Sequence, residues 1–443
     1  MKNVFLRMFV VLSVLMALFC VCANAQSYNV YVGSIQVTDE NAFDVLGDND
    51  EGATVTYDPA TKTLTLDNAH LTDYALYSYN ANVAVYSMDE LNVVLVGDNS
   101  VTVMPDEEKL QSFAIAFMVE GNNISMTSFE EATIDINVGT AKRENFGFYI
   151  TGGNATFSGK VKLDIELSDI LIREISSVVQ YTFGNSIGIH AEGSICFRDD
   201  VSVNCKTGNI FVPENSGFVG TLDDINSGGT TVGGAAFGEL VFDTTGEMYF
   251  YIGDGDGKRA GITSFNNFEI KNGSVVIEMA PSKGEYLIAG PVVYLSMDDS
   301  YPCVPLCGAS EDSLVAGEIT DISFAGFPLK TYANADGSLP VYSMLVPAVV
   351  GIPEVSLDSL GNTSVSVTVE DEEKTQDALV VFSAYNVNGK MTDVKFALGT
   401  AAQDGKISTE LDVSDAVRVV VFVFENTSSM KPLAHQLEIT DLT

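Results

Sequence analysis

The chain is 443 residues long and 46% hydrophobic, enough to bury a large core or to divide into two domains. Sixty Asp and Glu against 22 Lys and Arg give a formal net charge of −38. Repulsion on that scale excludes nucleic acid and anionic membrane surfaces as partners, and an acidic polysaccharide would be held only through bridging cations.

Lys2 and Arg7 precede an apolar run from Met8 to Val21, and Ala23-Asn24-Ala25 supplies the small residues a signal peptidase requires before Gln26. Residues 1–25 are therefore expected to be an export signal, and the protein to be secreted or cell-surface. The apolar run is about fourteen residues, short of the roughly twenty that span a bilayer, so no membrane insertion is expected after cleavage.

Next comes ATVTYDPATKTLTLDNA, Ala53 to Ala69, followed by LNVVLVGDNSVTV, Leu91 to Val103. Val55-x-Tyr57 and Leu64-x-Leu66 alternate with Thr, the period of a strand with one buried face. Asp58-Pro59-Ala60-Thr61 between them has the composition of a tight turn. The two stretches read as consecutive turns of a parallel β-solenoid. Val55, Tyr57, Asp58, Thr61, Thr63, Leu64, Leu66, Asn68 and Ala69, then Leu95, Gly97, Asn99 and Val101, resemble the opening motif of a bacterial family of secreted carbohydrate-binding proteins with a pectate-lyase-like fold. The resemblance is specific over Val30 to Val103. It implies a right-handed parallel β-helix that binds plant polysaccharide, in some members with calcium, and lacks lyase activity.

A recurrent theme follows, in which a Gly or Ala sits beside an apolar residue and alternating runs come about ten residues later. It is seen at Ala75-Leu76-Tyr77, Ala114-Ile115-Ala116, Gly147-Phe148-Tyr149, Gly188-Ile189-His190 and Gly261-Ile262-Thr263. Each instance reads as one rung of short strands, and stacked rungs bury a core that one rung cannot cover alone. The small residue has a packing explanation, because corners where backbone approaches backbone admit Gly and Ala best. Two insertions interrupt the theme. Asp169 to Val179 has apolar residues near helical spacing, and Asn209 to Gly238, rich in Gly, Asn, Ser and Thr, reads as a long surface loop.

From Met279 to Pro353 the theme fades into an expected C-terminal cap, with strands at Leu287 to Met297 and Ile319 to Phe324. The prolines at 340, 347 and 353 mark the boundary between a β-helix domain, residues 26–347, and a β-sandwich domain, residues 354–443. Five strands are expected in the latter: Val365 to Val369, Ala378 to Tyr385, Val394 to Leu398, Lys406 to Leu411 and Val417 to Phe424. Asn388-Gly389 is a hairpin signal between two of them. LVVFSAYNVNGKMTDVKFA and VRVVVFVFENTSSMKPLA resemble the accessory sandwich module of many secreted glycan-active proteins, except that the Trp usual near Phe424 is missing.

Reactive chemistry is sparse. Outside the leader there are five Arg, at 143, 173, 198, 259 and 418, each read as a solvated surface charge, and none stands as a lyase base among carboxylates that would hold calcium. Close carboxylate pairs such as Asp223-Asp224 are expected by chance among sixty acids, so they do not indicate the paired carboxylates of a glycosidase. His70, His190 and His435 are read as structural. Cys196, Cys205, Cys303 and Cys307 remain after cleavage, and pairing is the expectation for an exported chain. Proximity favours Cys196 with Cys205 and Cys303 with Cys307, the other two connectivities staying open.

For calcium the local candidate is Asp254-Gly255-Asp256-Gly257, two carboxylates among glycines, although Phe265 rather than a carboxylate stands twelfth in that loop. Sugar stacking needs flat aromatic faces, and without Trp the candidates are Tyr74, Tyr77, Tyr79 and Tyr86, with Tyr249 and Tyr251 sharing one strand face. The sequence thus reads as a noncatalytic polysaccharide-binding protein. The alternatives are an adhesive surface protein that binds a protein partner and, third, a polysaccharide lyase or hydrolase.

Overall fold

The computed structural model describes residues 26–47, 53–77, 80–105, 113–141, 143–171, 185–211, 230–254, 258–264, 268–280, 303–324, 327–347 and 354–439, apart from 335, 339, 358–362, 370, 371, 403, 404, 425 and 429–436. The protein is nearly all β, as the period-two patterns require. The expected leader and the strand expected at Leu287 to Met297 lie outside these residues.

Two large sheets take strands alternately along the chain. The first runs in the order Ile35–Thr38, Ser27–Val32, Ala81–Ser87, Phe113–Glu120, Glu144–Thr151, Asn185–Ala191, Thr230–Ala236, Lys258–Ser264. From Ala81–Ser87 onward every neighbour is parallel. The second sheet receives the intervening segments, among them Leu91–Val96, Ile124–Val138, Ala155–Leu167, Met248–Ile252 and Val275–Met279, again in parallel register. Antiparallel strands close both ends of this arrangement. Thr54–Asp58 pairs with Thr63–Asp67 at the start, and Tyr342–Pro347 pairs with Val275–Met279 and with Cys303–Gly308 at the finish.

The opening motif therefore differs from its reading as two parallel turns. Val55 and Tyr57 belong to an antiparallel hairpin with Leu64 and Leu66, and parallel pairing begins one strand later, Leu64 against Val93 and Leu66 against Leu95. The hairpin follows from the turn chemistry, since the Asp58 carboxylate accepts the Ala60 N–H at 2.9 Å and the Thr61 hydroxyl at 2.8 Å.

Parallel register places each inward side chain over its counterpart in the next strand. Phe157, Phe197 and Phe242 face one another in that way, with centroids 5.2 Å apart at each step and planes inclined by 13° and 15°. Phe117 stacks on Phe148 at 4.9 Å on the opposite sheet. One apolar cluster extends from Val30 to Leu345, so all these passes share a single core. In the middle of the strand Asn185–Ala191 only a residue without a side chain fits: a Cβ on Gly188 would lie 2.6 Å from the Gly233 carbonyl and would collide with Cys205 Sγ. Buried Asn99 bridges three layers, its Oδ1 accepting the Ala69 N–H and its Nδ2 donating to the carbonyls of Val96 and Thr133.

Two expected insertions change character. Thr230–Ala236, inside the stretch read as a loop, is a full strand of the first sheet, and its continuation Leu240–Thr244 and Met248–Ile252 completes another pass. Ile170–Leu171, at the start of the stretch with helical spacing, is a strand paired with Ile210–Phe211. Residues 172–179 lie outside the described residues.

Beyond residue 354, a three-stranded and a four-stranded antiparallel sheet send Val365, Val367 and Ile407, and Val380, Phe382 and Val421, into a second apolar cluster. All five expected strands are found here, and the Asn388-Gly389 turn has Gly389 at φ 70°. Replacing Phe197 by Ala is expected to cost about 3–5 kcal/mol in equilibrium urea unfolding, because its cavity sits between two stacked rings. Thr156→Ala, on the opposite face of the neighbouring strand, should change stability by no more than about 0.5 kcal/mol.

Candidate functional site

The outward face of the second sheet is where side chains gather in reach of solvent. Its inward positions are mostly apolar, so by alternation the outward ones form straight columns along the ladder. One column runs Ser100, Asp135, Asp164, Asn204, Tyr249. The next, two residues along each strand, runs Asn137, Glu166, Lys206, Tyr251, Glu278, Tyr342. Steps within a column are about 4.8 Å and the columns stand roughly 6.6 Å apart. Short hydrogen bonds link neighbours: Asn204 Nδ2 donates to Asp164 Oδ1 at 2.9 Å, and Lys162 Nζ lies 3.3 Å from Asp164 Oδ2.

Three tyrosines converge at the end of these columns. Glu278 is opposite Tyr251 in one neighbouring strand and opposite Tyr342 in the other. Tyr249, diagonal to it, donates its hydroxyl to Glu278 Oε2 at 2.6 Å. All three rings are half-buried, so each presents part of its surface to water. Burial and the hydrogen bond to Glu278 push the Tyr249 hydroxyl well above its ordinary pKa, and burial followed by Glu311 and Glu278 raises Tyr342. The Tyr249 and Tyr342 hydroxyls therefore remain donors at any physiological pH. Chemically this is an aromatic floor around one carboxylate acceptor, continued along the sheet by amide, ammonium and carboxylate groups. The sequence pointed to Tyr249 and Tyr251 by their spacing, but it held no signal for Glu278 and Tyr342, which long-range register alone brings there.

The other tyrosine group is arranged differently. Tyr77 and Tyr86 are brought together, stacked at 4.6 Å and 19°, with Tyr31 5.3 Å from Tyr77. Their hydroxyls are occupied, Tyr77 donating to the Gly33 carbonyl at 2.6 Å and Tyr86 to Glu120 at 2.8 Å. Tyr86 is 5% exposed and belongs to a buried cluster with Ile115, Met118 and Phe146. These rings pack on one another instead of forming an open strip. Tyr74 is half-buried and donates to the Met104 carbonyl at 3.3 Å, and Tyr79 lies outside the described residues.

Asp254 is described and Asp256 is not. Arg259, read from sequence as a solvated surface charge, is 3% exposed, with Nη1 3.7 Å from Asp254 Oδ1 and donating to the Ala280 carbonyl at 2.7 Å. The correction has a topological cause: Arg259 is the second residue of the last strand of the first sheet and is buried there, where it donates to the carbonyls of Gly253 and Ala280. A cation at Asp254 would have to compete with that guanidinium. Among the described residues no group of three or more His, Cys, Asp or Glu is placed to hold a metal.

The expected disulfides are not formed, all four thiols being free. Cys196 points outward and is half-exposed, whereas Cys205 is buried in the core, so the two lie on opposite faces of the sheet. Cys303 and Cys307 occupy one strand four residues apart, about 13 Å along an extended chain and far beyond the reach of one disulfide. Cys303 Sγ is 2.8 Å from the Tyr332 hydroxyl. Burial pushes Cys205 and Cys303 up to about 12 and Cys307 to about 11. His70 is exposed and bonded to Ser100 Oγ at 2.9 Å. His190 lies stacked on Tyr149 at 5.2 Å, where burial depresses its pKa to about 4 and keeps it neutral. Among the described residues no helix is long and apolar enough to cross a membrane.

Maleimide labelling of the native protein, mapped by mass spectrometry, should modify Cys196 and reach Cys205, Cys303 and Cys307 only after unfolding. Asp254→Ala should lose about 3–5 kcal/mol of stability by leaving Arg259 buried without its carboxylate, and by the same amount with or without a chelator. No family model, curated protein or solved structure matches this chain.

Proposed function

We propose that residues 26–347 form a parallel β-helix acting as an extracellular, noncatalytic carbohydrate-binding scaffold, followed by a β-sandwich over residues 354–443. The solenoid reading is supported by the regular alternation of strands between two sheets, their parallel registers and their single shared core. The binding reading is carried by one observation: Tyr249, Tyr251 and Tyr342, each partly exposed, surround Glu278 on the outward face of the second sheet. Pyranose rings present an apolar C–H face and a rim of hydroxyls, and such a floor offers stacking for the first and acceptors for the second. The resemblance of Val30 to Val103 to a family of carbohydrate-binding proteins points the same way.

Chemistry on the face favours binding over cleavage, since each carboxylate of the two columns sits on a flat ladder and not across a cleft. A protein-binding reading draws on one feature of the C-terminal part, the outermost strand Met391–Leu398, whose Phe396 is 66% exposed. Glycan-array screening of the purified protein is expected to give sugar-dependent binding. In that assay Tyr251→Ala should weaken binding about fivefold, roughly 1 kcal/mol for one lost stacking contact, without lowering the melting temperature. Binding only to protein, with sugar making no difference, would favour the second reading. Release of reducing or unsaturated sugar would establish an enzyme.

A further inference from the structure

Resting on that reading, we infer that the ligand is an uncharged glycan chain lying along the ladder, with one ring on the tyrosine floor and successive rings over the columns toward Asp164. Three observations assign the class. Glu278, the acceptor at the centre of the floor, is half-buried between aromatic rings, where a second carboxylate would meet an unscreened like charge. The columns leading away from it carry Asp135, Asp164 and Glu166 against Lys206, with Lys162 already drawn to Asp164 at 3.3 Å. A polyuronate would thus face repulsion at several consecutive rungs, whereas hydroxyl groups find an acceptor at nearly every one.

The direction follows from spacing. Columns repeat every ~4.8 Å, close to the length of one pyranose unit in an extended chain, so a chain aligned with them meets equivalent polar positions ring after ring. Across the columns the repeat is about 6.6 Å and the face is only a few residues wide before the strands end at their corners.

The test uses the full exported chain, a soluble neutral xylan, a mixed-linkage glucan and polygalacturonate, with affinity measured by calorimetry at about 0.02 M and about 0.5 M salt. Expected are binding of at least one neutral polymer that changes little with salt, and no polygalacturonate binding at low salt. Tyr251→Ala and Tyr249→Phe should weaken the neutral polymer about fivefold and about twofold. Glu278→Gln, which keeps the hydrogen-bonding shape and removes the charge, should bring polygalacturonate binding into the measurable range at low salt. Polygalacturonate binding by the wild type that Tyr251→Ala abolishes would overturn the uncharged class and leave glycan binding at this face intact. Neutral binding indifferent to all three substitutions would overturn the site, and no binding of any polymer would overturn the functional reading itself. Circular dichroism of each variant separates these outcomes from misfolding.

Discussion

Stacking like on like is the constraint from which the larger part of this protein follows. In a parallel ladder a side chain meets the residue at the same position of the neighbouring strand, so an inward column stays apolar from pass to pass except where a polar side chain such as Asn99 is hydrogen-bonded in place. Phe157, Phe197 and Phe242 illustrate the inward consequence, a column of rings inside a core shared by all passes. The same geometry forces the outward columns into line, which is why Asp164, Asn204 and Tyr249 share a row although 85 residues of chain separate the first from the last. A flat polar face is therefore a by-product of building the core, and a binding site on it requires only substitution at outward positions, where stability tolerates change.

Much of this was legible because period two and recurrent small residues are local signals. Ala114, Gly147, Gly188 and Gly261 mark the strands of the first sheet, although the structure places them within those strands and not at the corners expected from the sequence. The pass built on Thr230–Ala236 escaped because TTVGGAA contains one sizeable apolar residue and resembles loop composition; the Gly233 that helps to disguise it answers the close approach of the Gly261 carbonyl. Leu240-x-Phe242 and Met248-x-Phe250-x-Ile252, the alternating runs that follow it, were the available clue.

What sequence could not express is which distant strands meet. The stacking of Tyr77 on Tyr86 depends on a short antiparallel pairing of Ala75–Tyr77 with Ala81–Ser87, and it turns a promising row of tyrosines into packing. Arg259 misled for a related reason, since a charged residue near a glycine-rich turn reads as solvated until the strand it enters is known. The cysteines misled through proximity: closeness along a strand is distance in space, and neighbours of opposite parity face opposite sides.

The tyrosine floor sits where the ladder changes sense. From Thr63–Asp67 to Val275–Met279 the strands of the second sheet add in parallel, and Tyr342–Pro347 then pairs antiparallel from a segment more than sixty residues later in the chain. That reversal ends the stack, and it also delivers an aromatic ring opposite Glu278 that a further parallel pass of the same pattern would not have supplied. Ser343 and Leu345, both buried, fix the strand's facing, so the outward direction of Tyr342 is set by core packing on the other side of the same backbone. The closing strand thus has two roles joined by alternation: its inward residues finish the core and its outward residue completes the floor. Loss of this strand's registry would remove Tyr342 from the site while leaving Tyr249 and Tyr251 in place, which makes the antiparallel strand, and not the parallel ladder, the element on which the geometry of the site turns.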